Sequence, residues 1–201
     1  EIQLAYNREH GITPETVIWD PHPQWASIVI QPQGVQVIEN TVLDAGRRGS
    51  RSATQEVLAR ALEERIQGLG RAIGDGSLAS IEQVTKSLAG LGPGLTPYGD
   101  DVLAGAVLAL WAAHHPRCSE IGATVARTAI PATHMLSGAF IEAASHGLAS
   151  ADWHVLLNAL SSGSVQAIDH AARRIATTGD TSGVAMLRGF ITGYRAARRD
   201  N

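Results

Sequence analysis

The sequence is sparing with cysteine, aromatic residues, net charge and long apolar runs, and each scarcity removes a class of function. Cys118 stands alone, so an internal disulfide and any multi-cysteine metal or redox motif are excluded. A reducing, cytoplasmic setting is the expectation. Sixteen Lys and Arg against nineteen Asp and Glu leave a formal charge of −3, and a chain without a basic excess is not expected to bind nucleic acid. The local cluster Arg195, Arg198 and Arg199 suits the negative end of a last helix. The longest apolar run, Val102 to Ala113, is interrupted only by Gly105. It falls short of the roughly 18 residues of a membrane span and has the length of a buried helix. Glu1 to His10 lacks the basic start and apolar centre of a secretion signal. The first residue is not Met, as expected for a copy of part of a longer product. The few aromatics include Trp19, Trp25, Trp111 and Trp153, expected in the core or at a lobe interface.

What is present is apolar bulk: 44% of 201 residues, enough to bury the core of one large domain, alone or with a small lobe. The pattern changes near residue 50. Trp25 to Ile30 and Gly34 to Ile38 flank Gln31-Pro32-Gln33, which predicts two strands and a turn. A third short strand is expected near Thr16 to Trp19. Beyond residue 50 the apolar spacing is three and four. Ser52-Ala53-Thr54-Gln55 has the form of a capping box, followed by the stripe Val57, Leu58, Ala61, Leu62, Ile66 and Leu69. Further helices are predicted from Ser77 to Gly90 and over 101–114, 119–129, 134–145, 152–160, 165–176 and 184–197. The expected fold is therefore α+β: a small β-containing lobe over 1–50 and a mainly helical body over 51–201. Gly105, Gly122, Gly138 and Gly189 lie inside helical patterns. Each costs about 1 kcal/mol against Ala, so close helix-to-helix approach is expected there.

The densest functional signal is Leu91-Gly92-Pro93-Gly94-Leu95-Thr96-Pro97-Tyr98-Gly99-Asp100-Asp101. Pro93 and Pro97 disfavour helix at the residues before them. A helix can then open at about Tyr98, with free N–H groups and nearby glycines forming an anion cradle. Gly92, Gly94 and Gly99 are candidate ligand-binding positions, with Thr96 as a hydroxyl donor or cap. Asp100 and Asp101 favour a helix start but repel an incoming anion. A divalent cation such as Mg2+ between carboxylate and ligand would remove that conflict; the alternative is that both merely cap the helix. Thr96, Asp100 and Asp101 are the candidate catalytic residues, and the two aspartates the candidate metal ligands. An ordinary Asp, with a pKa near 4, is a weak general base, so electrostatic and positional work is expected.

A second segment echoes the first. Gly183, Ala185, Leu187 and Gly189 repeat the spacing of Gly99, Asp101, Leu103 and Gly105. Thr181 and Ser182 could complete the pocket if the two helix starts face each other. His134 could line the same cavity or lie on the surface, and His114 and His115 suit a helix end. The eight histidines form no zinc signature, and the glycines form neither a Walker loop nor a dinucleotide fingerprint. Nothing points to NAD, flavin, haem or zinc.

Gly92 to Gly105, with the weaker Gly179 to Gly189 and Thr133 to Gly147, resembles the bacterial family that includes the AllH-type subunit associated with oxamate carbamoyltransferase in purine and allantoin breakdown. The likeness covers most of 85–195. It departs from the family pattern at Tyr98, where Ser is usual, and at Ala185, where Asp is usual. The resemblance implies a carbamoyltransferase subunit that works with partner proteins, or with further copies of itself, on oxamate or a related small carboxylate or carbamoyl compound. The alternative is a non-catalytic ligand-binding or interaction subunit.

Overall fold

Pro32 begins a helix rather than turning a hairpin. In the computed structural model the described residues are 19–46 and 53–198, with side chains described from residue 59 onward in the second stretch. Helix α1 spans Pro32–Gly46, with proline at its first position, where its missing N–H is not needed. Gly34, Val35, Ile38, Thr41 and Val42 are its buried residues. That face has a helical period, which the two-strand reading of 34–38 overlooked by stopping short of Thr41 and Val42.

The expected β lobe is therefore corrected: the described residues are helical, with no strand among them. Trp25–Ser27 forms one 3-10 turn. Beyond it Ile28 and Ile30 are buried and Val29 is exposed, so the alternation was real. What is missing is a partner strand. The Val29 N–H donates to Ser161 Oγ, the Ile28 carbonyl meets His114 Nε2 at 2.8 Å, and the Ile30 carbonyl accepts from Tyr194 Oη. Side chains of two helices and of the turn at His114 satisfy backbone groups that a ladder would otherwise have to satisfy. The strand expected near Thr16 to Trp19 lies largely outside the described residues, and Trp19 itself is not in a strand. Ile28, Ile30, Val35 and Ile38 join the same core as the later helices.

The later helices follow the apolar spacing. They are α2 (Ala53–Gly74), α3 (Leu78–Leu88), α4 (Tyr98–Ala112), α5 (Cys118–Ala129), α6 (Met135–Ser145), α7 (Ala151–Ser162), α8 (Val165–Ala176) and α9 (Ser182–Ala197). Ser77 caps α3 by accepting the Ser80 N–H, and Ser164 caps α8 by accepting the Ala167 N–H. Helix α4 is buried on every side from Gly99 to Leu110, which is why its sequence is apolar without a polar face.

The most extensive packing joins α4 to α9. A Cβ at Gly105 would overlap the Met186 carbonyl oxygen and lie 2.9 Å from Met186 Cα. A Cβ at Gly189 would overlap the Val102 carbonyl oxygen and lie 2.9 Å from Val102 Cα. These contacts are mirror partners under the sequence echo, because Gly105 matches Gly189 and Val102 matches Met186. Ala106 meets Gly193 further along. Val102 meets Gly189 and, four residues on, Ala106 meets Gly193, so the helices run parallel and start at the same end. Glycine is required where backbone touches backbone, which explains its cost in propensity.

Candidate functional site

The turn into α4 is held in a shape that its glycines permit. Gly90, Gly92 and Gly94 have φ of +69°, +125° and +93°, a region L side chains rarely adopt. At Gly92 a Cβ would also lie 2.8 Å from the Tyr98 nitrogen. The Gly99 N–H returns to the Leu91 carbonyl at 2.9 Å and closes the loop. Gly92 to Leu95 is exposed, Thr96 is half-buried, and Gly99, Asp100 and Asp101 are buried.

The adjacent aspartates separate in role. Asp100 is 1% exposed. One carboxylate oxygen accepts the Gly90 N–H at 2.9 Å. The other accepts the Ser137 hydroxyl at 2.9 Å and the Thr133 hydroxyl. Three donors from two segments converge on it, so Asp100 ties the turn to the start of α6.

Asp101 points to the other neighbour. It is 5% exposed, and its Oδ2 is buried without a hydrogen-bond partner. Among the described residues only Thr85 Oγ1 shares that condition, and buried oxygens are rarely left so. Burial pushes the Asp101 carboxyl up from its ordinary 3.8 to about 6. The Ser182 hydroxyl pulls it down and the Asp100 charge raises it further. A carboxyl near 6 exchanges protons close to neutrality, which the sequence expectation of an ordinary Asp did not foresee.

The second helix start arrives beside the first. Thr96 Oγ1 and Ser182 Oγ are hydrogen-bonded at 2.9 Å. Thr96, Asp101 and Ser182 are thus brought together where the positive ends of α4 and α9 converge. Thr181 is the exposed N-cap residue of α9, and its side chain makes no cap bond. His134 is exposed at the N-cap of α6 and likewise makes none. It adjoins Thr133, on the Asp100 side of the turn. The space around Gly94 is open. Among the described residues no group of three or more His, Cys, Asp or Glu side chains is placed to hold a metal ion, and no helix is long and apolar enough to cross a membrane.

Sequence reasoning missed the neighbouring groove. A cavity of about 1220 Å3 runs along α9, with walls from α1 and α2. Arg188 projects into it, bonded to Glu63 and reaching Tyr98 Oη at 3.5 Å. Burial alone would lower the Arg188 pKa, but Tyr98 and Glu63 hold it above its ordinary value. The only local signal was one arginine inside the apolar run Met186 to Ile191.

Searches of curated proteins and of solved structures return no match. Residues 88–194 match the family model described as oxamate carbamoyltransferase subunit AllH. The matched stretch begins at the last residue of α3 and runs into α9, so it contains the turn, both aspartates and both convergent helix starts. Since it also covers more than half of the sequence, the chain belongs to the family of the oxamate carbamoyltransferase subunit AllH.

Proposed function

We propose that this chain is the ligand-binding subunit of a carbamoyl-transferring complex, and that it holds a small amide- or carbamoyl-bearing carboxylate such as oxamate at the paired starts of α4 and α9. The observation carrying the reading is the buried, unpartnered Asp101 Oδ2 beside the Thr96–Ser182 hydroxyl pair. Two positive helix ends favour the negative end of a ligand. The Asp101 carboxylate oxygen accepts a hydrogen bond from the N–H of its amide end. The family description supports the transfer chemistry and the word subunit.

In the catalytic version of this reading, the positive ends of α4 and α9 steady charge on the ligand oxygens and Thr96 orients them. Asp101, with a pKa of about 6, is suited to take or return the proton of an amide nitrogen as its bond to a carbonyl carbon forms or breaks. Should the ligand arrive with Mg2+, Asp101 is the candidate protein donor, because the Asp100 oxygens already accept from Gly90, Ser137 and Thr133. A second reading, a non-catalytic binding or interaction subunit, is favoured by a different observation. Leu95, Met135, Leu136 and Phe140 are large apolar residues exposed around the turn and along α6, Met135 by 91%, as at a surface that a partner covers.

Calorimetric titration of the full chain with oxamate, with and without Mg2+, tests the site. Asp101→Asn and Thr96→Val should each weaken binding by roughly tenfold, the loss of one good hydrogen bond. Unchanged affinity in both folded variants removes the turn as the ligand site. Turnover assays with and without the partner subunits separate the two readings: no turnover even in the full complex would leave only binding.

A further inference from the structure

We infer that the groove along α9 is a second anion site, in which the Arg188 guanidinium and the Tyr98 and Thr181 hydroxyls receive a phosphate or carboxylate group. A space of about 1220 Å3 exceeds anything a packing defect leaves in a dense protein and lies just above the usual size of small-molecule pockets, about 300–1,000 Å3. Its walls have the composition of such a pocket. Val42, Ile66, Val184 and Ile191 supply apolar surface, while Arg188 and Arg195 supply charge. The two arginines are seven residues apart on one helix, about 10 Å along its axis.

Arg188 is the receiving group for three reasons. Its side chain is 34% exposed, so it is desolvated enough to bind strongly and open enough to be reached. A guanidinium has five N–H groups, and the bonds to Glu63 and Tyr98 use two of them. Glu63 is itself 39% exposed, so its side chain can yield to a ligand oxyanion at little cost. By contrast Arg195 is bound by two nitrogens to Glu39, and Arg173 by its Nε to both oxygens of Asp169.

Position decides the sign of the ligand. The groove lining holds three arginines and the carboxylates Glu39, Glu63 and Asp180, so side chains alone are balanced. Tyr98 is the first residue of α4 and Thr181 is the N-cap residue of α9, so two positive helix ends open on the same wall. Asp101 does not line the groove. The groove site therefore adjoins the Asp101 site across the same two helix starts, and differs from it in its charged group, Arg188 in place of Asp101.

The test uses the full chain, inorganic phosphate and oxalate as probes, and titration calorimetry. Arg188→Gln should weaken binding at least tenfold. Glu63→Gln should strengthen it severalfold, because it removes the competing anion, and the surface variant Lys86→Gln should leave it unchanged. Opposite signs at Arg188 and Glu63 are the signature, since a purely structural ion pair predicts the same direction for both. Binding of phosphate alone assigns a phosphoryl ligand, and binding of oxalate alone a carboxylate; either supports the site. Should Arg188→Gln fail to fold, Arg188→Lys keeps the charge without the planar fork and should bind several times more weakly than the native chain. The assignment is overturned if the native chain binds neither probe at millimolar concentration, or if folded Arg188 variants bind as the native chain does. It is overturned equally if Glu63→Gln weakens binding, or if Asp101→Asn abolishes binding that Arg188→Gln leaves intact.

Discussion

Replacing Gly189 with Ala should destabilise the protein even though alanine is the better helix former. The added Cβ would sit 2.9 Å from Val102 Cα and overlap the Val102 carbonyl oxygen. Ordinary contacts at a Cβ fall at 3.4–4 Å, so α4 and α9 must part. The struck atoms are backbone in a helix buried on every side, and no side chain can rotate away. Overpacking costs about 1–3 kcal/mol, and a backbone collision belongs at about 3. Alanine returns about 1 kcal/mol of helix propensity. The net loss is about 2 kcal/mol, or roughly 4–8 °C in Tm for a chain of this length.

Gly138→Ala supplies the internal control. Gly138 is also buried within a helix, but its nearest neighbour for a Cβ is the Ile130 side chain at 3.6 Å. Only the propensity gain remains, so Tm should rise by roughly 2–4 °C. Thermal unfolding followed by circular dichroism measures both. If Gly189→Ala matches or exceeds the native chain, the glycine-mediated contact between α4 and α9 is not what holds them, and the argument fails.

Three further outcomes concern the aspartates. Asp100→Asn puts an amide where three donors converge, so urea unfolding should show a loss of about 2–3 kcal/mol. Asp101 has the opposite effect. Its folded pKa of about 6 stands above the ordinary 3.8, so its ionisation weakens the fold as pH rises through that interval, by roughly 3 kcal/mol in full. Asp101→Asn should therefore be more stable than the native chain at pH 8 and indistinguishable from it below about pH 4. A constant difference across that range would show that Asp101 is not desolvated as described. Oxamate affinity should fall as pH drops below about 6, where Asp101 gains its proton and no longer accepts from an amide. An affinity that rises instead would mean that the protonated acid donates to the ligand.

The helical body was legible because its apolar spacing is long and uninterrupted. Residues 184–197 were expected as helix, and α9 spans Ser182–Ala197. Residues 25–38 misled because an alternating pattern reports which side chains are buried, not what pairs with the backbone. There His114, Ser161 and Tyr194 do the pairing, and no local pattern announces them. The turn was legible because its glycines, prolines and carboxylates are consecutive. The division of labour between Asp100 and Asp101 was not, since Thr133 and Ser137 arrive from 33 and 37 residues away. Arg188 and Glu63 lie 125 residues apart, so the groove exists only in tertiary structure.

The echo between the two halves gives the proposed ligand its direction. Gly99 and Gly183 are each the second residue of a helix, and each packs against a carbonyl at the end of the preceding helix, Leu88 in one case and Ile175 in the other. Gly105 and Gly189 are each the eighth, and each packs on the partner helix. Helix, turn and glycine contacts are thus repeated about a pseudo-twofold axis between α4 and α9. Two identical halves would present a symmetric pair of positive helix ends, suited to a symmetric dianion. These halves are not identical. Position 101 is Asp and its counterpart 185 is Ala, so one side of the convergence carries an acceptor and the other does not. Position 98 is Tyr and its counterpart 182 is Ser. The tyrosine turns to Arg188 in the groove, while the serine bonds Thr96. A ligand seated across such an axis is discriminated end from end. Its hydrogen-bond donor belongs beside Asp101, and its negative oxygens belong to the helix ends on the side of Ala185.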